Sequence, residues 1–382
     1  MQQPRGKQRW LRDNFGCWYV QTTGIWKTVW TEYVPKLSLQ YVKMTPDLEA
    51  GELDLDIHVD APEAMRNGTL MVEAEVSFEG RFINRISTAV ISDHVRSKVD
   101  VKVKDSGITP PSEDALIEDI NKIHELGYNG LRKHQKIEDE RFLYWCDVKG
   151  MLVWSEMAAA YDFSDYAVEE YTREWMEIVK QNYNHPCIIT WTPFNESWGV
   201  KEIRTNREQQ HFTEMIYHYT KSFDAMRPVV TNDGWQTTVT DILTIHDYEE
   251  SGEILKKRYT DYKNEVLNAK AYPGCYRPLL ANGYQYQGQP VIVTEFGGIA
   301  FDKDSGWGYG NKVSSEQEFL ERFENITMAI KELPYVCGYC YTQVSDVQQE
   351  VNGLMDMERN FKIAPEKIRV INERVTDCWR KD

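Results

Sequence analysis

The sequence predicts an α/β chain in which a partial β-sandwich region precedes a (β/α)8 barrel, or TIM barrel, with its first strand missing. Three observations carry this expectation. The first ~105 residues contain short stretches with apolar side chains at every second position. From Thr109 onward, short apolar strands alternate with amphipathic helices. Almost every one of those strands ends in polar side chains, which gather on one rim if the strands run parallel.

In the front region the stretches WKTVWTEYV, LDLDIHVD and MVEAEVSF are separated by Pro, Gly and Asn. Period-two spacing puts one face of each strand in a core and the other in water, as in antiparallel sheets. Three parts are expected: residues 1–38, residues 39–105 and the barrel over 106–382.

In the barrel region ALIEDINKIHELG places Leu116, Ile120 and Ile123 on one helical face. The strand YNGLRKH follows, then a helix through FLYWCDVKG and the strand MLVWSEM. AVEEYTREWMEIVK aligns Val168, Tyr171, Trp175, Ile178 and Val179 before the strand CIITWTPFNE. HFTEMIYHYTKSFDAM aligns Phe212, Met215, Tyr219 and Phe223. PVVTND, DILTIHDY, PVIVTEF and VCGYCYTQ complete seven strands. Ser315 and Glu318 form a capping box before the last long helix. Seven or eight parallel strands over ~270 residues suit a (β/α)8 barrel, which takes ~250. An open doubly wound sheet is the alternative, but no G-x-G-x-x-G follows a strand.

Composition narrows the partners. A net charge of −16 disfavours nucleic acid and anionic membrane surfaces. No apolar run is long enough to span a bilayer. The start, MQQPRGKQRW, lacks the apolar core of a secretory leader. Seven irregularly spaced cysteines point to reduced thiols and a cytoplasmic location. Cys337 and Cys340 sit three apart in a strand, on opposite faces, so they are not expected to form a metal or redox pair. The 12 Trp and 22 Tyr suit a surface that stacks on carbohydrate rings. A homo-oligomer is compatible with all of this.

The strand ends carry the chemistry. They present Arg132 and His134, then Glu156, Asn195 with Glu196, Asn232 with Asp233 and Trp235, His246 with Asp247 and Tyr248, Glu295, and finally Tyr341, Gln343 and Asp346. Glu196 and Glu295 close strongly apolar strands with two strands between them, so a closed barrel lets them converge across its mouth. Carboxyl groups roughly 5–5.5 Å apart fit a retaining glycosidase, with one acid/base and one nucleophile. Like charges at that separation are expected to keep one of the two protonated.

The motifs FNESWG and VTEFGG, with LRKHQKIEDERFLYWCD upstream and GYCYTQVSD downstream, resemble glycoside hydrolase family 2 from Thr109 to about Asn372. That family includes β-galactosidases, β-glucuronidases and β-mannosidases. The resemblance implies that Glu196 is the acid/base and Glu295 the nucleophile. It implies that Asn195 bonds the sugar 2-hydroxyl, and that Arg132, His134, His246 and Tyr341 line the sugar subsite. Trp198 and Trp235 are candidate sugar platforms, and Glu156 is expected to support the site from behind. TTGIWKTVWTEYV resembles the last strands of the family's jelly roll, making 1–38 a remnant of it. Residues 39–105 resemble its immunoglobulin-like domain.

Two departures from the family pattern matter. VKVKDSGITPPSED runs almost directly into the first helix, so the first barrel strand is expected to be missing or altered. Glucuronide-cleaving members carry Asn-x-Lys after the last strand. Here Asn352 is followed two places on by Leu354, while Asn360 and Lys362 lie further along. The expectation is therefore a β-galactosidase-like exo-β-glycosidase that takes a carbohydrate substrate and needs no cofactor or metal. The rival readings are a non-catalytic carbohydrate-binding protein, an inactive truncated homologue, and a subunit completed by a partner.

Overall fold

The computed structural model describes residues 3–21, 31–47, 52–78, 81–100, 114–273 and 277–379. The motif GIWKTVW and the stretch 101–113, where the first barrel strand was sought, lie outside the described residues. The chain forms two compact units. One comprises Gly24–Ser112 with Gln181–Asn184, and the other comprises Met1–Thr23, Glu113–Lys180 and His185–Asp382. The first residues therefore belong to the same unit as the strand–helix region.

In the smaller unit, β1 (Ser38–Asp47), β2 (Glu52–Asp60) and β5 (His94–Asp100) form an antiparallel sheet in the order β1-β2-β5. β3 (Met71–Phe78) and β4 (Arg81–Ala89) form a hairpin. Period-two patterning decides what each strand buries: Leu55, Ile57 and Val59 of β2 and Val95 and Val99 of β5 point inward. Val72, Ala74, Val76 and Ile86 of the hairpin pack on the same cluster.

The larger unit alternates strands and helices as the sequence predicts. Its strands are β6 (Gly130–Lys133), β7 (Leu152–Glu156), β8 (Ile188–Thr192), β9 (Phe194–Asn195), β10 (Asn232–Asp233), β11 (Leu243–His246), β12 (Val291–Gly297) and β13 (Val336–Thr342). Its helices are α1 (Asp114–Glu125), α2 (Glu140–Lys149), α3 (Asp165–Asn182), α4 (Arg207–Phe223), α5 (Gly252–Asp261), α6 (Lys263–Leu267), α7 (Glu316–Lys331) and α8 (Pro365–Glu373). All ladders are parallel and join neighbours in chain order: β6-β7-β8, β9-β10 and β11-β12-β13.

The expected single strand CIITWTPFNE is broken into β8 and β9 at Pro193, which has no N–H to give a ladder. Trp191 bridges to Val229, which carries the sheet across to β10. The closed barrel is not what the described residues show. No ladder joins β13 to β6, and β10 meets β11 through Gly234 N–H donating to Thr244 Oγ1 at 2.8 Å.

Local chemistry sets the helix limits. Asp139, Asn206 and Ser251 accept backbone N–H groups at the starts of α2, α4 and α5. Gly150 ends α2 at φ 68°. Ser315 accepts from Glu318 N–H at 3.2 Å, while the Glu318 carboxylate turns to Ser314 N–H at 2.7 Å, one residue earlier than a capping box predicts.

The core lies in two halves. One surrounds β6–β9 and buries Trp175 and Trp191, whose indole N–H groups donate to Thr220 at 2.8 Å and Asp224 at 2.9 Å. The other surrounds β11–β13 and buries Phe296, Phe319 and Phe323. Among the described residues no helix is long and apolar enough to cross a membrane. Six described cysteines are free thiols, with Cys337 exposed and Cys340 less so, as opposite strand faces require.

Candidate active site

The ends of β6, β7, β9, β10, β11 and β12 meet around Arg132, which is 5% exposed at its side chain. Its Nε lies 2.7 Å from Glu156 Oε2 and 2.8 Å from Asp233 Oδ2. Nη1 donates to Glu295 Oε1 at 2.7 Å, and Nη2 donates to Asn195 Oδ1 at 2.7 Å. His134 Nδ1 sits 3.0 Å from Glu156 Oε1 and 3.7 Å from Glu295 Oε1. A planar guanidinium with five donors can satisfy such a ring of acceptors, which one ammonium could not.

His246 forms the second hub. Its Nδ1 is 2.9 Å from Glu196 Oε1 and 3.4 Å from Glu295 Oε2, and its Nε2 is 3.3 Å from Asp233 Oδ2. Gly234 makes room for it. The glycine adopts φ 79°, and a Cβ there would stand 2.2 Å from the imidazole ring. An oxygen of Glu196, an oxygen of Glu295 and a nitrogen of His246 all lie within 4.8 Å of one another. The two glutamates expected to converge therefore do so.

Glu196 and Ser197 are held in the left-handed backbone region at φ 49° and 58°. That conformation is costly for residues with a Cβ, and such residues cluster at functional sites. Three bonds fix it. Glu196 N–H donates to Asp233 O at 3.0 Å, Ser197 N–H to Asn232 Oδ1 at 2.9 Å, and Trp198 N–H to Asn195 O at 3.0 Å.

The electrostatics at Glu295, Arg132 and His246 are set by mutual pairing. Burial alone would raise the Glu295 pKa, but the charges of His246, Arg132 and His134 outweigh it and hold the carboxyl below the usual range. Tyr248 adds a hydrogen bond to Glu295 Oε2 at 2.6 Å. The repulsion expected to protonate one of the pair is thus overcome at Glu295 by cations around it. Burial would lower the Arg132 pKa, yet Asp233, Glu156 and Glu295 raise it well above its ordinary value. Burial would likewise lower that of His246, and the neighbouring carboxylates Glu295 and Asp233 raise it instead.

The other expected residues take several positions. Asn195 is 1% exposed and its Nδ2 has no partner among the described residues. The Tyr341 hydroxyl accepts Ile299 N–H at 3.3 Å while its ring packs on Phe296 and Phe323, so the side chain braces the loop after β12. Trp235 lies under the Arg277 guanidinium, 3.8 Å from the ring centre, and beside Trp198 at 6.3 Å. Glu156 is fully buried behind Arg132, and its Oε1 also accepts Gln135 N–H at 2.9 Å. Lys362 donates to Asp304, Asp346 and the Val351 carbonyl.

A cavity of about 550 Å³ opens on this cluster, lined among others by Arg132, Glu295, Tyr248, Tyr309, Lys7 and Glu350. Lys7 and Tyr19 come from the first residues of the chain, part of the stretch 1–38 that the sequence resemblance makes a jelly-roll remnant. Their segment is anchored by Arg5 N–H donating to Ala159 O at 2.9 Å and Trp307 Nε1 donating to Gly16 O at 3.0 Å. Tyr19 donates its hydroxyl to Glu350. The available signal was the aromatic spacing of Trp10, Phe15 and Trp18, which pack with Tyr161 and Trp198.

Residues 109–375 match the family described as glycosyl hydrolases family 2, TIM barrel domain. The β-glucuronidase of Chlorocebus aethiops is 23% identical over 270 residues, covering 67% of this chain and 38% of that protein. Human β-glucuronidase is 23% identical over 271 residues, again 67% of this chain and 38% of that protein. The chain thus spans well under half the length of these curated relatives. Among solved structures, a family 2 β-galacturonidase from Eisenbergiella tayi bound to galacturonate superposes with a TM-score of 0.62 at 18% identity, over 89% of this chain and 72% of that one. A Parabacteroides merdae β-glucuronidase gives 0.67 at 12% identity, over 90% and 53%. With more than half of its length matched, the chain belongs to glycoside hydrolase family 2.

Proposed function

We propose that the chain is a retaining exo-β-glycosidase that hydrolyses β-linked hexuronides. The observation that carries the reading is the approach of Glu196 and Glu295, with an oxygen of each within 4.8 Å of the other. That separation suits a nucleophile and an acid/base sharing one anomeric centre. An inverting pair needs roughly 6.5–9.5 Å between carboxyl groups to admit a water.

Glu295, ionised among Arg132, His134 and His246, attacks the anomeric carbon. Glu196 gives its proton to the departing glycosidic oxygen. It then takes a proton from the water that releases the sugar from Glu295. Asn195 Nδ2, a buried donor without a partner among the described residues, bonds the 2-hydroxyl as charge develops on the ring.

The substrate class rests on the relatives and on charge. The relatives named above are β-glucuronidases and a β-galacturonidase. A hexuronide is therefore preferred to the β-galactoside first expected from Leu354. Lys362 is already paired with Asp304 and Asp346, and we assign the carboxylate contact to Lys7, which lines the cavity and makes no ion pair within 4.0 Å among the described residues. A neutral β-galactoside is the second reading, favoured by the acidic Glu350 in the same cavity.

A panel of nitrophenyl β-glucuronide, β-galacturonide and β-galactoside tests both. Turnover should be highest on a uronide, with the β-anomer as the first product seen by NMR. A first-formed α-anomer rules out retention, and a preference for the galactoside rules out the uronide reading.

A further inference from the structure

We propose a transition-metal site on the outward face of the smaller unit's three-stranded sheet, formed by Asp56 and His58 of β2 and His94 of β5. This site is independent of the proposed function. His58 and His94 are direct partners across the antiparallel ladder, and Asp56 lies two residues before His58 on the same face. Their immediate chain neighbours Leu55, Ile57 and Val95 are buried, which fixes the three polar side chains outward.

The donor atoms converge. His58 Nε2 is 3.5 Å from Asp56 Oδ1, and His94 Nε2 contacts the same oxygen. All three lie within 4.8 Å of one another, with the two imidazoles stacked at 4.7 Å and 20°. Zinc bonds of about 2.0–2.2 Å to imidazole nitrogen and carboxylate oxygen put neighbouring ligand atoms of a tetrahedral ion roughly 3.4 Å apart. The pocket needs only a small opening of the His94–Asp56 contact to reach that spacing. Two imidazoles and one carboxylate suit Zn²⁺, Ni²⁺ or Cu²⁺ rather than Ca²⁺ or Mg²⁺.

The surroundings fit an ion as well. Arg96 Nη2 lies 3.7 Å from Asp56 Oδ2, which leaves Oδ1 to the metal and orients the carboxylate. Lys43, opposite Asp56 on β1, lays its ammonium over the Tyr183 ring at 4.5 Å. The side chains of His58, His94 and Asp56 are 45%, 39% and 26% exposed, so an ion can enter and keep a water as its fourth ligand.

Two other described clusters have the residue types but not the freedom. Glu196, His246 and Glu295 belong to the active site. At Asp147, His185 and Cys187 the donors are spent. Asp147 accepts Cys187 N–H at 2.8 Å and pairs with His185 at 2.6 Å, and the Cys187 thiol donates to the Leu143 carbonyl.

Titration calorimetry of the purified full chain with Zn²⁺ at pH 7.5 tests the proposal. One ion should bind per chain, and affinity should fall at least tenfold in His58→Ala and in His94→Ala. The milder His58→Gln serves as a second variant should either alanine form fold poorly by circular dichroism. Glycosidase turnover should stay unchanged in all three, because these side chains belong to the smaller unit and the proposed catalytic residues to the larger. Absence of Zn²⁺ binding by the unmodified chain overturns the site, as does unchanged affinity in the folded variants.

Discussion

Arg132 Nη1 donates to Glu295 Oε1 at 2.7 Å while the same guanidinium reaches Glu156, Asp233 and Asn195. One side chain thus pairs with three carboxylates and orients Glu295. Its replacement leaves those buried charges uncompensated, which costs about 3–5 kcal/mol. Arg132→Met should lower folding stability by that order in urea unfolding. Arg132→Lys should recover part of the stability but little turnover, since an ammonium cannot span the four acceptors. Full turnover in Arg132→Lys would show that the fork geometry is irrelevant.

The two glutamates separate by leaving group. Glu295→Gln removes the carboxylate proposed to attack and should abolish turnover of every substrate, on the order of 10⁴-fold or more. Glu196→Gln removes proton donation, worth about 10²–10⁴-fold. A nitrophenolate needs little protonation to depart, so the first chemical step of Glu196→Gln should survive on nitrophenyl glycosides and fail on alkyl glycosides. Pre-steady-state release of nitrophenol measures it. Equal losses on both leaving groups would remove Glu196 from the acid role.

Much of this arrangement was readable from the chain because parallel strands deliver their C-terminal residues to one rim. The apolar runs before Glu196 and Glu295 gave their depth, and strand order gave their convergence. What could not be read depends on pairing partners. The break at Pro193 looked like continuous strand because the flanking residues keep their apolar character. Asp233 gave no sign of being shared by Arg132 and His246, since that requires the register of β10 against β9. Lys7 and Tyr19 lie in a segment held by isolated bridges and side-chain bonds, and such a segment has no periodicity to detect. Among the described residues no ladder joins β13 to β6, and residues 101–113, where the first barrel strand is expected to be missing or altered, lie outside them.

Charge in the site sets a pH window for stability. The His246 pKa rises from 6.5 to about 10, because Glu295 and Asp233 outweigh the burial that would lower it. A raised folded-state pKa stabilises fully below 6.5, and the contribution is lost as pH climbs through about 10. The Asp233 pKa falls from 3.8 to about 2, since Arg132 and His246 outweigh the burial that would raise it. Its contribution is full above 3.8 and is lost as pH drops through about 2. These two groups together give a plateau between pH 3.8 and 6.5 and a decline on the alkaline side. His246→Gln should flatten that alkaline decline in urea midpoints measured from pH 6 to 10. An unchanged slope would show that His246 is neutral in the fold.

Tyr248 donates to Glu295 Oε2 at 2.6 Å and stacks on Tyr309 with ring centres 3.4 Å apart. The stack fixes the ring, so Tyr248→Phe deletes one hydrogen bond to a charged acceptor and little else. Such a bond is worth about 1.5–3 kcal/mol. The expected loss in kcat/KM is roughly 10- to 150-fold, with unchanged thermal midpoint. A loss confined to stability would mean that the phenol only packs.

The proposed uronide reading makes Lys7 the residue that should separate charged from neutral sugars. Burial would lower its pKa, but Cys17 and Glu350 keep the ammonium charged within the cavity. A substrate carboxylate meeting that ammonium gains a charge-assisted bond of about 1.5–3 kcal/mol, and a neutral hexoside gains none of it. Lys7→Ala should therefore raise KM for the nitrophenyl glucuronide or galacturonide by roughly 10- to 100-fold, while values for the galactoside move by less than about twofold. Lys7→Arg should restore most of the uronide binding because it keeps the charge. Equal effects on charged and neutral substrates would assign Lys7 to holding the first segment in place, and Glu350 would then become the residue that reads the sugar through its hydroxyl groups.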